Sequence, residues 1–393
     1  LPAIIFVVLL AYLPTWQGKG PEVHPLTKSW EVAIPNQQVP AGLTSLSARA
    51  CGACHQQHYA EWQVSTHAQA WHDQQFQAEI KKETSPFMCI NCHTPLQNQQ
   101  EYKVTGLLDG DLYRPVKEKN PAFDPSLQQE GITCASCHVR DGAVIGTTGN
   151  KNAPHKTVKD PEFLSEKLCI SCHNATAILT PELVCTFETG DEWQAGPFFG
   201  EKNCISCHMA EEFRENVPGA GKALSHQHYF AGSGIPKHDT LQTKGLNGLV
   251  FYPSSVAATL PAGEELRFSL KVKNELAGHR VPTGDPERYF LITLELKNPA
   301  GKVLASQTER IGEKWQWYPE AKKLADNNLY PGEERTYVFN YLPQATGILI
   351  LNLTVTKHRL APEFAEYNKL DDSYPLFITI YEKSWTVAVK SAS

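Results

Sequence analysis

Methionine is scarce, basic runs are missing, and no cysteine follows residue 207. The 393-residue chain has two methionines, Met88 and Met209. Its formal net charge of -6 and the lack of any Lys/Arg cluster argue against nucleic acid as a partner. No phosphate loop, Ser-His-Asp set or pair of catalytic carboxylates stands out. A conspicuous apolar run, Leu1 to Leu13, is shorter than the ~20 residues a helix needs to span a bilayer. Hydrophobic residues at 41% and charged residues at 20% are ordinary for a globular chain, and the length suits two or three domains.

What is present is a five-fold motif. Cys-x-x-Cys-His occurs at Cys51-Gly-Ala-Cys54-His55, Cys89-Ile-Asn-Cys92-His93, Cys134-Ala-Ser-Cys137-His138, Cys169-Ile-Ser-Cys172-His173 and Cys204-Ile-Ser-Cys207-His208. This spacing is the signature of c-type haem attachment: two thiols add to the porphyrin vinyls, and the next residue places an imidazole under the iron. Zinc sites and disulfides are the competing readings. A four-cysteine zinc site needs no histidine at a fixed offset, and a disulfide scaffold needs no x-x spacing. The reading is therefore five haem c groups held through Cys51, Cys54, Cys89, Cys92, Cys134, Cys137, Cys169, Cys172, Cys204 and Cys207, with His55, His93, His138, His173 and His208 as proximal ligands. Cys185 alone stands outside the pattern. A buried inert thiol is the plain reading for it, against an unusual haem ligand or an intermolecular disulfide.

Attachment of haem to paired thiols points to an exported protein on the periplasmic or extracellular side. The chain begins without Met, so residues upstream of Leu1 are expected. Residues 1–16 then read as the tail of a signal peptide or as an uncleaved membrane anchor, with Tyr12 and Trp16 at interfacial positions; a hydrophobic arm docked on a partner is the remaining option. The hydropathy favours the anchor. Residues 17–45, rich in Pro, Gly and polar residues, read as an extended linker. Residues 46–245 hold every haem motif, with roughly 30 to 40 residues from one to the next, too few for each to build its own apolar domain. The porphyrins must then be the core, wrapped by short helices and loops, with a helical stretch expected over Gln56 to Lys82.

Residues 246–393 change character. Strand-like runs begin at Leu266, Tyr289, Arg335, Ile348 and Leu376, punctuated by turns such as Asn298-Pro-Ala-Gly301 and Pro331-Gly332. They predict an antiparallel β-sandwich, with a long loop from Gln307 to Leu329 carrying Trp315 and Trp317. That pair suits core packing better than a carbohydrate or partner surface. The fold class is α + β and multidomain: a mostly helical and irregular pentahaem domain followed by an all-β sandwich.

Each iron needs a second ligand or stays open. Met88 and Met209 adjoin their own motifs and cannot turn to cap them. Ten histidines remain outside the motifs, so bis-histidine ligation is the main expectation, which keeps potentials below those of His/Met cytochromes. The segment from Cys51 through Tyr59, Trp62 and Ser65-Thr-His67-Ala resembles the first haem region of the cytochrome c-554-like multihaem family. That resemblance implies His67 as a distal ligand. Ala153-Pro-His155 resembles the family's distal histidine upstream of a motif. His228-Tyr-Phe-Ala-Gly232 resembles an element that follows the last motif, favouring His228 over His226. Ala277-Gly-His279-Arg-Val-Pro-Thr-Gly284 resembles a turn of multihaem cytochromes with a C-terminal β-domain, implying that His279 reaches back to a haem. For the fifth iron the candidates are His24 and His72. The chain departs from the pentahaem nitrite reductases, whose catalytic motif ends in Lys; all five motifs here end in His.

Function follows as electron transfer to or from redox proteins, or between copies of the chain in an oligomer, filament or membrane complex, with no catalytic residue assigned. The alternative is a reductase or oxidase of a small nitrogen or sulfur compound at one haem with an open face.

Overall fold

The computed structural model describes residues 20–83, 85–180, 183–317 and 319–391. The segment read as an anchor, residues 1–16, lies outside them. Among the described residues no helix is long and apolar enough to cross a membrane. The molecule is α + β. Among the described residues nine short α-helices precede residue 209: α1 (Ala48–Gly52), α2 (Gln56–Gln63), α3 (Gln74–Ile80), α4 (Phe87–His93), α5 (Pro125–Gln128), α6 (Cys134–His138), α7 (Glu166–His173), α8 (Thr189–Gln194) and α9 (Cys204–His208). A tenth, α10 (Pro362–Tyr367), lies near the end of the chain.

The stretch expected to be helical from Gln56 to Lys82 is two helices with a turn between them. Ser65 and Asp73 divide it, because both prefer to hydrogen-bond backbone outside a helix. The Ser65 hydroxyl accepts from Ala68 N at 3.3 Å, and Asp73 caps α3 by accepting from Gln75 N at 3.2 Å.

Residues 20–45 run extended and are strapped onto the cysteine-rich region. Val23–His24 pairs with the strand Tyr102–Leu108, Ile34 N donates to Pro95 O at 2.8 Å, and Lys156 N donates to Ala41 O at 3.2 Å. Gly42 shows how close the strap lies. Its φ of +93° suits glycine, and a Cβ there would sit 1.9 Å from the Pro154 carbonyl oxygen. Two small antiparallel hairpins lie between Cys-x-x-Cys-His motifs, Tyr102–Leu108 with Pro115–Lys119 and Asn174–Thr180 with Leu183–Glu188, and a third, Glu211–Glu215 with Lys222–His226, follows the last motif.

From Leu249 onward strands dominate. Leu249–Pro253, Leu266–Asn274 and Glu334–Tyr341 form one antiparallel sheet. A second sheet has the order Thr259–Pro261, Phe377–Lys390, Gly347–His358, Tyr289–Lys297, Val303–Gly312. Alternation along each strand sends one set of side chains inward. Phe268, Leu270, Val272 and Phe339 of the first sheet join Ile292, Leu294, Leu296, Leu351, Leu353, Val355 and Val387 of the second in one buried cluster. Full burial of such a side chain stabilises by about 1.5–3 kcal/mol relative to exposure. The region expected as a loop from Gln307 to Leu329 instead holds the end of the strand Val303–Gly312 and the hairpin Lys314–Gln316 with Lys322–Ala325. Ser306, Gln307, Thr308, Glu309 and Arg310 hide the strand in sequence, since it lies at the sheet edge and buries only Ile311 and Gly312. Trp315 and Trp317 stack on each other at 5.2 Å and 8°, with Lys323 over Trp315.

Candidate functional site

Four of the five motifs lie wholly within a helix: Cys89–His93 in α4, Cys134–His138 as α6, Cys169–His173 in α7 and Cys204–His208 as α9. Helical spacing puts the two cysteines, three apart, and the histidine, four beyond the first, on one side of a turn. The first motif straddles an end: Cys51 is in α1, and His55 is the N-cap of α2. Among the described residues no disulfide joins the motif cysteines, and three pairs of thiols from different motifs lie within hydrogen-bonding reach: Cys51 with Cys134, Cys92 with Cys172, and Cys169 with Cys204. Motif one therefore adjoins motif three, while motif four adjoins motifs two and five.

Imidazole orientation is set by backbone carbonyls. The Nδ1–H groups of His55, His93, His138 and His208 donate to Asn216 O (3.1 Å), Ala70 O (2.7 Å), Ile145 O (2.9 Å) and Ala231 O (2.5 Å). Outside the motifs, His228 Nδ1 donates to His226 O at 2.9 Å and His279 Nδ1 to Arg280 O at 2.8 Å. A carbonyl can only accept, so each ring carries its proton on Nδ1 and leaves the Nε2 lone pair free for a metal. Burial pushes the pKa of His67 and of His228 down to about 3, which keeps both rings neutral.

Two imidazoles trans across one metal, each bound at about 2 Å, hold their ring centroids about 6 Å apart. Three pairs match with their rings within 44° of parallel: His173 with His67 at 6.2 Å, His138 with His228 at 6.1 Å, and His208 with His279 at 6.3 Å. His55 and His58 also stand 6.0 Å apart, but edge-on at 83° and three residues apart in the chain, so they are not set opposite one another. Burial lowers the His55 pKa, and the charge of His155 nearby adds to that lowering. The loop tied down by Gly42 holds His155 there, and its Nδ1 is buried without a hydrogen-bond partner among the described residues. His24 is exposed on the strand Val23–His24, and His72 is exposed beside Arg49, Tyr59 and Trp62. Among the described residues neither is stacked with another imidazole. His93 is covered on one ring face by Phe76, parallel at 3.7 Å, and it too has no imidazole at iron-spanning distance among the described rings.

His58 adjoins two of the pairs without belonging to either. It sits edge-on to His228 at 4.7 Å, with Nε2 at 2.9 Å from the Ser225 hydroxyl. Cys185 packs with Phe87, Met88, Leu107 and Cys89, and burial pushes its thiol up to about 12.

Arg280 and Thr283 clamp the loop carrying His279 through Glu188, Glu192 and Asp326, acids that lie outside the Ala277–Gly284 segment. Arg280 spans both halves of the molecule: Nε to Glu192 at 2.8 Å, Nη2 to Glu188 at 2.7 Å and Nη1 to Asp326 at 3.0 Å. Thr283 Oγ1 donates to Glu192 at 2.8 Å. Gly278 and Gly196 permit this approach, since a Cβ on Gly196 would stand 2.1 Å from Gly278 O. No sequence signal announces the clamp, because Glu192 lies 88 residues from Arg280.

These features fit haem c: paired thiols at helical spacing, rings with Nε2 free, and rings set opposite one another at iron-spanning distance. Among the described residues no group of three or more His, Cys, Asp or Glu side chains converges as on a bare metal ion. When bound, each haem supplies a one-electron iron couple.

A family model described as cytochrome c554 and c-prime matches residues 50–110. The fold is similar to that of a penta-heme cytochrome c552 from Thermochromatium tepidum, with a TM-score of 0.61 and 16% identity over 89% of this chain and 100% of that one. The CARDB domain of the PF1109 protein from Pyrococcus furiosus aligns with 36% of this chain and 87% of its own at 18% identity, but its TM-score of 0.20 carries no argument. A search of curated proteins finds no match. The chain thus resembles the multihaem c-type cytochromes, with a β-rich region following its Cys-x-x-Cys-His motifs.

Proposed function

We propose that this protein transfers electrons through five covalently attached c-type haems. The observation that carries the reading is the set of imidazole pairs at 6.1 to 6.3 Å, each joining a motif histidine to one outside the motifs. Under this reading His67, His155, His228 and His279 are the distal ligands of the haems on His173, His55, His138 and His208. The thiol contacts place motif four at a junction, which suits conduction rather than isolated sites. Residues 46–245 form the pentahaem domain, and residues 246–393 form a β-sandwich built from the two sheets around their shared cluster. The protein works on the exported side of the membrane, with redox proteins or further copies of itself as partners. Residues 1–16 are its anchor in this proposal.

A second reading is kept for one iron. His93 has no imidazole opposite it among the described rings, so its haem is the place where a small nitrogen or sulfur compound would be reduced or oxidised. The deciding experiment is a haem count by intact mass together with the optical and paramagnetic spectrum of the oxidised protein. Five added porphyrins with at least four low-spin bis-histidine irons support conduction. Fewer porphyrins overturn the count, and turnover of nitrite, hydroxylamine or sulfite at enzymatic rates favours the second reading.

A further inference from the structure

The seam between the segment around His93 and the second sheet buries positive charge. Lys237 forms an ion pair with Asp73, whose other oxygen accepts from the Tyr374 hydroxyl at 2.5 Å. Arg359, only 5% exposed, lies over the Tyr374 ring at 4.1 Å and spends Nη2 on the carbonyls of Ile235 (2.9 Å) and Pro236 (2.8 Å). Lys357, two residues earlier at the end of the strand Gly347–His358, is buried with its ammonium on the carbonyls of Ser233 (3.0 Å) and Leu246 (2.8 Å). Arg288 adds its charge to Lys237 and Lys357 from the adjoining loop. Asp73 is the one carboxylate paired directly with this group among the described residues. Asp285 and Glu287 both accept from the Gln75 amide, at 3.4 and 2.9 Å, but among the described residues neither forms an ion pair with these cations, and burial, with Asp285 beside it, pushes the Glu287 carboxyl up to about 9.

Buried cations in excess of buried anions are unfavourable unless an anion joins them. One atom marks where it would bind. Arg359 Nη1 is buried and has no hydrogen-bond partner among the described residues. The position relative to His93 follows from chain geometry. Ala70 accepts from His93 Nδ1 and Phe76 covers its ring, so Asp73 lies in the segment wrapped round that imidazole. The charges of Asp73 and Lys237 both act on His93.

We infer that Arg359, supported by Lys237, is a carboxylate-binding site, and that the carboxylate is a propionate of the haem on the Cys89–His93 motif. This rests on the five-haem reading and adds to it a determinant of one haem's potential. Arg359 offsets the propionate's negative charge beside the iron. Without it the ferric state, which carries the extra positive charge, is favoured.

Potentiometric titration of the purified holoprotein, followed optically, tests the inference. In Arg359→Gln one midpoint falls while the other four stay; Arg359→Lys restores most of the fall. Lys237→Met moves the same midpoint down and Asp73→Asn moves it up. If a folded Arg359→Gln protein titrates like its parent, or if all five midpoints shift together, the inference is overturned. Thermal unfolding in sodium acetate and in inorganic phosphate separates the sources. Saturable stabilisation of the parent that vanishes in Arg359→Gln assigns the site to a free anion and overturns the propionate. A mass showing no porphyrin on Cys89 and Cys92 sinks the five-haem reading instead.

Discussion

After Leu249, one buried apolar cluster gathers twenty residues, drawn from eight strands and two loops. Before it, three clusters hold five, three and three buried residues, far too little apolar surface for some two hundred residues of chain. The second region stabilises itself by interdigitated side chains. The first has little such core among the described residues: its helices are short, its hairpins carry exposed residues such as Phe213 and Leu224, and its histidines face each other across gaps the width of a metal site. On the five-haem reading, folding of the first region is linked to its cofactor, whereas the second region has a core of its own.

The largest effect expected from that contrast is seen without haem. When the ten motif cysteines are changed to serine, residues 46–245 should lose cooperative structure while the β-rich region keeps it. Far-ultraviolet circular dichroism should retain the strand signal with one thermal transition. Limited proteolysis should leave a fragment starting near residue 246. Loss of both regions together would break the contrast and show that the sheets depend on the haem region.

Acid should separate the two regions next. His67 and His228 have folded pKa values of about 3 and His58 about 4, burial being the largest cause in each. The unfolded chain takes up protons near pH 6.5, which the folded chain refuses. Their contribution is full above about pH 6.5 and is lost as pH falls toward 3 to 4. Asp73, depressed by Lys237 and Arg359 against the opposing and larger effect of burial, loses its contribution only below the ordinary carboxylate range. In the β-rich region His358 shows the same depression, to about 4, but it stands alone on a strand whose alternate residues fill the apolar cluster. Iron bound to His67 and His228 adds to their resistance to protonation, so acid can charge these rings only by detaching them. The Soret band should therefore change as pH falls while the β-sheet signal persists; coincident transitions would contradict this.

The seam gives a smaller, local effect. His279→Ala should turn one low-spin haem high-spin and leave the others unchanged. Arg280→Gln should give a partial version of the same change, because Glu188, Glu192 and Asp326 lose the guanidinium that holds the His279 loop. Removing one member of a buried ion-pair group costs about 3–5 kcal/mol, so Arg280→Lys is the needed companion. Recovery of the low-spin signal in Arg280→Lys marks Arg280 as a positioning residue, whereas equal loss of stability in both variants with unchanged spectra would reduce it to a domain staple.

How far the sequence foretold these features depends on the range of the forces involved. The five motifs are local covalent requirements, three or four residues long, and could be read without any fold. Strands such as Leu266–Asn274 and Gly347–His358 were legible because one face is buried and the alternation survives along their whole length. Val303–Gly312 was not, since an edge strand need not alternate. His155 and His279 stood out through the resemblance of their segments to multihaem cytochromes, and for His279 the flanking Gly and Pro-Thr-Gly also implied a stiff turn. Arg280, Arg359 and Lys237 did not. Their partners are 46 to 164 residues away, and a single charged residue gives no hint of burial.

The smallest effect belongs to Cys185. It lies against Cys89 in an apolar cluster with Phe87, Met88 and Leu107, yet it has neither a second thiol at x-x spacing nor an imidazole four residues beyond the first cysteine. Burial, with the charge of Cys89 next, pushes its pKa to about 12, so almost no thiolate exists at neutral pH. A thiol in that state is a poor nucleophile and a poor metal ligand. Cys185→Ala removes one sulfur from a partly buried position, a change worth about 1 kcal/mol by comparison with small core deletions. The variant should keep its haem count by mass, its spectrum and its midpoints, with a slightly lower thermal midpoint. The native protein should resist iodoacetamide at Cys185 until it unfolds. Rapid labelling in the folded state, or a changed spectrum for the haem on His93, would give this cysteine a chemical role that its surroundings do not support.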